Sequence, residues 1–133
     1  MDDKLIYNDQ LTIEELPNED EINYQYLKVI DINRKIGYPE IIGKSQKQIS
    51  YACAIRLRGI KEFKEMINQQ YLVDFIKKNN YLSANINFDN LLDRFVENYI
   101  NVKNNAKDII DDKENMIQAI LDINKLIIHT GKF

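Results

Sequence analysis

From residue 22 onward, apolar positions recur at helical spacing in blocks separated by polar or turn-forming residues. Ile22, Tyr26, Val29 and Ile30 share one face, with Asn33 next on the same line, before Gly37-Tyr38-Pro39 stops the pattern. This predicts a helix over 22–36; a strand fits the same residues only in part. The sharpest start signal follows. Ser45 with Gln48 three residues on forms a capping box, in which the Ser45 hydroxyl accepts from the Gln48 amide and the Gln48 side chain reaches back to the Ser45 amide. The helix it opens should run to about Asn68. At about 100° per residue, Ile49, Ala52, Cys53, Leu57, Ile60, Phe63 and Ile67 gather on one face, with Lys47, Ala54, Arg58, Lys61 and Glu65 opposite. One residue breaks the stripe: Arg56 lies near its middle, about 180° from Lys47. Gly59 costs about 1 kcal/mol relative to Ala in a helix interior, and invites another element to pack close.

Gln69 to Asn79 reads as a further helix with Tyr71, Leu72, Phe75 and Ile76 inward, and 81–86 as irregular chain. Asn87 is then the expected cap of a helix whose stripe is Phe88, Leu91, Leu92, Phe95, Val96, Tyr99 and Val102. Asn104-Asn105 marks a break. One last helix is expected from Ala106 to His129, lined inside by Ile109, Ile110, Met116, Ile117, Ile120, Leu121, Asn124, Ile127 and Ile128, and closed by Thr130-Gly131. Toward the N-terminus, Lys4–Tyr7 and then Leu11, Ile13 and Leu16 fall at near-alternate positions up to Pro17, which biases Leu16 away from the helical region. That segment reads as a short strand or an extended arm. The fold expected is mainly α, a compact bundle of four to five helices in a single domain over 1–133.

Charge adds an asymmetry. The net charge is only −3, but residues 1–21 hold eight acidic side chains against Lys4 alone. Residues 44–64 reverse this, with Lys44, Lys47, Arg56, Arg58, Lys61 and Lys64 against Glu62. The two segments should attract each other within the fold, or steer partners. The single cysteine, Cys53, allows no disulfide framework and no cysteine-based metal site. No apolar run reaches the roughly 18 residues a membrane span needs, so a cytosolic protein of the host cell, with no membrane partner, is expected.

Candidate chemistry is sparse. His129 is placed to cap the last helix, Cys53 sits on an apolar face with no histidine to activate it, and Glu14/Glu15 and Asp111/Asp112 are adjacent pairs that point apart. No His/Cys/Asp/Glu spacing suits a metal. The expectation is therefore no enzyme, no cofactor and no metal. Lys44, Lys47, Arg58 and Lys61, with Tyr51 beside them, would make a basic stripe suited to nucleic acid. Arg56 needs a carboxylate, backbone carbonyls or an outside ligand; the plainest arrangement is a salt bridge to an acid of the N-terminal segment or the last helix.

The stretch Pro39–Arg56 resembles a short motif of uncharacterised proteins from phages and mobile elements of low-GC Gram-positive bacteria, approximately P-x-L-x-G-S-E-K-Q-x-x-W-A-x-x-I-R. Lys47, Gln48, Ala52, Ile55 and Arg56 match it as they stand; Lys44 is an extra residue, Gln46 replaces the Glu and Tyr51 the Trp. The resemblance implies a mobile-element origin. Combined with small size and segregated charge, it suggests a protein-binding inhibitor of a host or defence system, such as an anti-CRISPR protein acting on a nuclease complex. The acidic residues Glu14, Glu15, Glu19, Asp20 and Glu21 would then imitate nucleic acid in a basic groove. The alternative is a nucleic-acid-binding accessory protein using the basic face of helix 45–68.

Overall fold

The computed structural model describes residues 22–133, and side-chain surroundings from Val29 onward. Among these residues lie six α-helices: α1 Ile22–Ile36, α2 Gln46–Met66, α3 Gln69–Asn79, α4 Leu91–Val102, α5 Ala106–Asp111 and α6 Met116–His129, with a 3₁₀ turn at Lys113–Asn115. The all-helical fold agrees with the sequence pattern. The arm expected over residues 4–16 lies outside the described residues.

The spine is α2. Helices α1 and α5 pack along it, α3, α4 and α6 pack on one another, and α6 returns to α2 to join the two groups. Ser45 caps α2 as expected, its hydroxyl accepting from the Gln48 amide at 3.1 Å. The return half of the box is shifted by one residue: the Gln48 side-chain oxygen Oε1 accepts from Lys44 N, at 2.7 Å, and not from Ser45. After α1, Gly37 takes φ +92° and starts the linker to α2. A single parallel bridge, Ile42 N to Asn104 O (2.8 Å) and Ala106 N to Ile42 O (2.7 Å), ties that linker to the α4–α5 turn.

Both groups share one core. Phe63 of α2 stacks on Phe95 of α4 at 6.5 Å, and Phe75 of α3 and Phe133 meet Phe95 edge-on. Burying each such ring contributes about 1.5–3 kcal/mol. Asn124 fixes the register of α6 against α4: its amide donates to the carbonyls of Phe95 (3.0 Å) and Ile120 (2.8 Å) and accepts from Asn98 (2.8 Å).

Two boundaries differ from expectation, each for a tertiary reason. The fourth helix begins at Leu91 and not after Asn87, so Phe88 is not on its stripe. Its cap comes from Gln69 at the start of α3, whose side chain accepts from Leu91 N at 3.2 Å and donates to the Phe88 carbonyl. The expected helix 106–129 is broken at Asp112–Asn115. There Asp112 is held by the hydroxyl of fully buried Tyr99 (2.8 Å) and by Lys103 (3.2 Å), and Asn115 leaves helical geometry at φ −150°. The break turns Met116 onto Gly59, where a Cβ would stand 2.1 Å from the Met116 Cγ.

Candidate functional site

Arg56 is fully buried in α2. Its Nη2 donates to the Asn33 side-chain oxygen at 2.7 Å and to the Pro39 carbonyl at 2.8 Å, while the Tyr38 ring covers the guanidinium at 5.6 Å. The expected salt bridge is not formed with any described residue: Glu40, close in sequence, pairs instead with Arg34 at 2.8 Å. Among the described residues an amide oxygen and a backbone carbonyl receive the guanidinium, and the acids of the N-terminal segment lie outside them. Nε and Nη1 find no hydrogen-bond partner among the described residues. Burial lowers the Arg56 pKa, and the nearby Cys53, Tyr38 and Tyr99 act in the opposite direction. The result is a polar knot that pins the 37–45 linker to α1 and α2.

That knot gives the Pro39–Arg56 stretch a structural reading. Its first residue accepts a hydrogen bond from its last. Gly43 permits close approach, since a Cβ there would lie 2.8 Å from Ile49 Cγ1 and 3.0 Å from Ala106 Cβ. Ser45 and Gln48 start the helix, and Ala52 is buried. These residues shape the fold.

The four cations read as a basic stripe do not form a continuous exposed face. Lys44 and Lys47 are exposed, Arg58 and Lys61 are half-buried, and Ala54 between them is fully buried. It was expected on the polar side, and it lies at the wall of a cleft that Met116 and Ile117 of α6 also line. Lys61 pairs with Glu65 at 3.1 Å. Arg58 lines a cleft of about 350 Å³ with Tyr51, Glu62, Lys113 and Glu114. Lys113 donates to the Tyr51 hydroxyl at 3.0 Å and stands 5.5 Å from its ring centre, so that ring is engaged by a neighbour. Glu14, Glu15, Glu19, Asp20 and Glu21 lie outside the described residues.

Nucleophiles and bases are placed for packing. Cys53 is buried, and desolvation pushes its thiol up to about 11, which keeps it protonated and unreactive near neutral pH. His129 does not cap α6. The last carbonyls are taken by the amides of Thr130 and Gly131 and by the Thr130 hydroxyl. Its ring packs instead on Tyr81 at 4.6 Å. Among the described residues no group of three or more His, Cys, Asp or Glu is arranged to hold a metal.

The His129–Tyr81 contact leads to a surface that sequence reasoning passed over. The Asn80 side chain closes the α3–α4 loop at two points, donating to the Ala84 carbonyl at 2.8 Å and accepting from the Ala84 amide at 3.2 Å. Within the closed loop Ser83 takes φ +51°, a left-handed conformation that a non-glycine residue adopts at some cost. The loop holds Tyr81 and Leu82 outward, 71% and 59% exposed. Leu82 lies against Gly131. Leu126, 63% exposed, stands one turn before His129 on α6. Large apolar side chains of this loop and of the end of α6 are thus left in solvent. The available signal was the adjacent apolar pair Tyr81-Leu82 in a stretch with no helical spacing.

No protein-family model, curated protein or solved structure matches the chain.

Proposed function

We propose that the protein is a non-catalytic binding protein, encoded by a phage or mobile element, that inhibits a host or defence protein by occupying it, as anti-CRISPR proteins do. The observation that carries the binding reading is the closed Asn80–Ala84 loop. A double hydrogen bond and a left-handed serine hold two large apolar side chains in solvent, and the described core makes no use of them. Tyrosine in a preorganised setting is a common binding anchor, because little side-chain freedom is lost on association. The mobile-element origin and the defence target draw on the resemblance of Pro39–Arg56. The interrupted basic face weighs against nucleic acid as the main partner.

The test is a pull-down with tagged protein from a bacterial lysate containing defence nucleases, with and without nuclease treatment. The expected result is one stoichiometric protein that survives treatment and loses activity as purified chain is added. Recovery that depends on nucleic acid would overturn the reading and return attention to Lys44, Lys47, Arg58 and Lys61.

A further inference from the structure

We infer that residues 37–40 form a flap over Arg56 that opens on its own, with the helices intact, and brings the buried guanidinium into contact with solvent. The flap is independent of the binding reading. The two halves of the 37–45 linker are held differently. The second half is clamped. Ile41 is buried, Ile42 is bridged to Asn104 and Ala106, a Cβ on Gly43 would lie 2.8 Å from Ile49 Cγ1, and Ser45 caps α2. The first half is not. Gly37, Pro39 and Glu40 are exposed and Tyr38 is half-buried. The amides of Gly37 and Tyr38 donate to the carbonyls of Arg34 (3.0 Å) and Asn33 (3.2 Å), which ties them to the end of their own helix alone. Glu40 pairs with Arg34, but both side chains are well exposed, so this pair adds little. Tyr38 and Pro39 also line a cleft of about 420 Å³ with Val96 and Ile100 of α4; its charged groups are Lys64, paired with Asp93 at 3.0 Å, and Glu97. This part of the linker spans a cleft where the second half packs on the core.

Arg56 is the latch that holds the flap to α2. Its Nη2 donates to the Pro39 carbonyl at 2.8 Å, and the Tyr38 ring centre lies 5.6 Å from the guanidinium carbon. The other bond to that carbonyl, from Asn33 Nδ2, is long at 3.4 Å. The latch carries its own opposing force. A guanidinium has five N–H donors, one of them on Nε and two on each Nη. Arg56 is fully buried, and among the described residues its Nε and Nη1 find no acceptor. Unmet donors oppose burial, and water meets them once the flap lifts. Opening therefore exchanges one good hydrogen bond and a ring contact for hydration of the cation. Asn33 Oδ1, at 2.7 Å from Nη2, belongs to α1 and stays in place, so the open form presents an oriented guanidinium. Gly37 supplies the hinge. It takes φ +92°, and no atom stands within 4 Å of the position its Cβ would occupy, so the backbone there turns without collision.

The test uses the full chain and phenylglyoxal, which modifies arginine, with the modified sites mapped by mass spectrometry. In native buffer Arg56 should react at least about a hundredfold faster than global unfolding allows, the global rate being read from amide exchange at Leu57 and Ile60. Its rate should stay nearly flat up to about 2 M urea, because lifting so short a segment exposes little surface. Tyr38→Ala should speed the reaction by about tenfold or more, while the amides of Ile42 and Ala106 exchange as in the parent chain. Arg56 modification that climbs with urea in step with exchange at Leu57 and Ile60 overturns the inference. So does a folded Tyr38→Ala chain that reacts no faster than the parent. The urea series is read on the parent chain, so it decides the matter even where the variant fails to fold.

Discussion

Arg56 and the Tyr81-Leu82 loop each break the rule that charge faces water and apolar side chains face the core, and they do so in opposite ways. Arg56 is a cation at zero exposure, but Asn33, Pro39 and Tyr38 receive it from within the chain. Tyr81 and Leu82 are apolar groups left in solvent, and the contacts that the loop makes serve to hold them out. A misplaced residue that finds an internal partner explains part of the fold. One that the fold presents outward is where the binding surface proposed above would lie.

The comparison can be broken first at Arg56. Replacing it with Ala leaves the Asn33 and Pro39 acceptors without their donor and opens a hole in the core. A loss of about 3–5 kcal/mol is expected, read from urea unfolding followed by circular dichroism. A loss under about 1 kcal/mol would mean the knot is dispensable. A second, smaller effect comes from alkali. Burial raises Cys53 from 9.0 to about 11, and also raises Tyr38 and Tyr99, Tyr99 with the help of its hydrogen bond to Asp112. The folded chain then holds these protons more tightly than the unfolded chain. Stability from this source is full below about pH 9 and falls as pH rises toward 11. Thermal melts should show a flat midpoint up to about pH 8.5 and a decline above it, and the Cys53 thiol should resist alkylation at pH 8 until the protein is unfolded. Asn80→Ala sharpens the other side. It removes the loop closure for about 1 kcal/mol of stability, yet should weaken partner binding several-fold, because Tyr81 and Leu82 must then be ordered on association. Equal affinity in that variant would deny the loop its preorganised role.

Much of the fold was legible because its signals are local. The Ser45 cap, the Gly37 stop and most of the α2 stripe depend on residues a few positions apart, and the structure reproduces them. On α3 Leu72 and Ile76 are buried as expected, whereas Tyr71, expected inward, is 48% exposed because it lies at the edge of the stripe in the first turn. Even Asn33, polar on an apolar line, was visible; its role as acceptor for Arg56 was not, since that bond spans 23 residues. The misread boundaries share this cause. Gln69 caps α4 from 22 residues away, and Asp112 breaks the last helix because buried Tyr99 holds it. Ala54 faced the polar side of the wheel, but it is fully buried, beside a cleft that α6 also lines. The candidate surface was missed for a related reason. Periodicity identifies faces of helices, and Tyr81-Leu82 sits in an irregular loop whose closure by Asn80 requires the folded backbone.

The most direct measurement sets stability against binding in one variant, Tyr81→Ser/Leu82→Ser. Both side chains are more than half exposed, so unfolding stability should stay within about 0.5 kcal/mol of the parent chain, while recovery of the protein partner from lysate is lost. A variant that binds its partner as the parent does, or one that loses binding only because it unfolds, would contradict the claim that this loop is held outward for another protein.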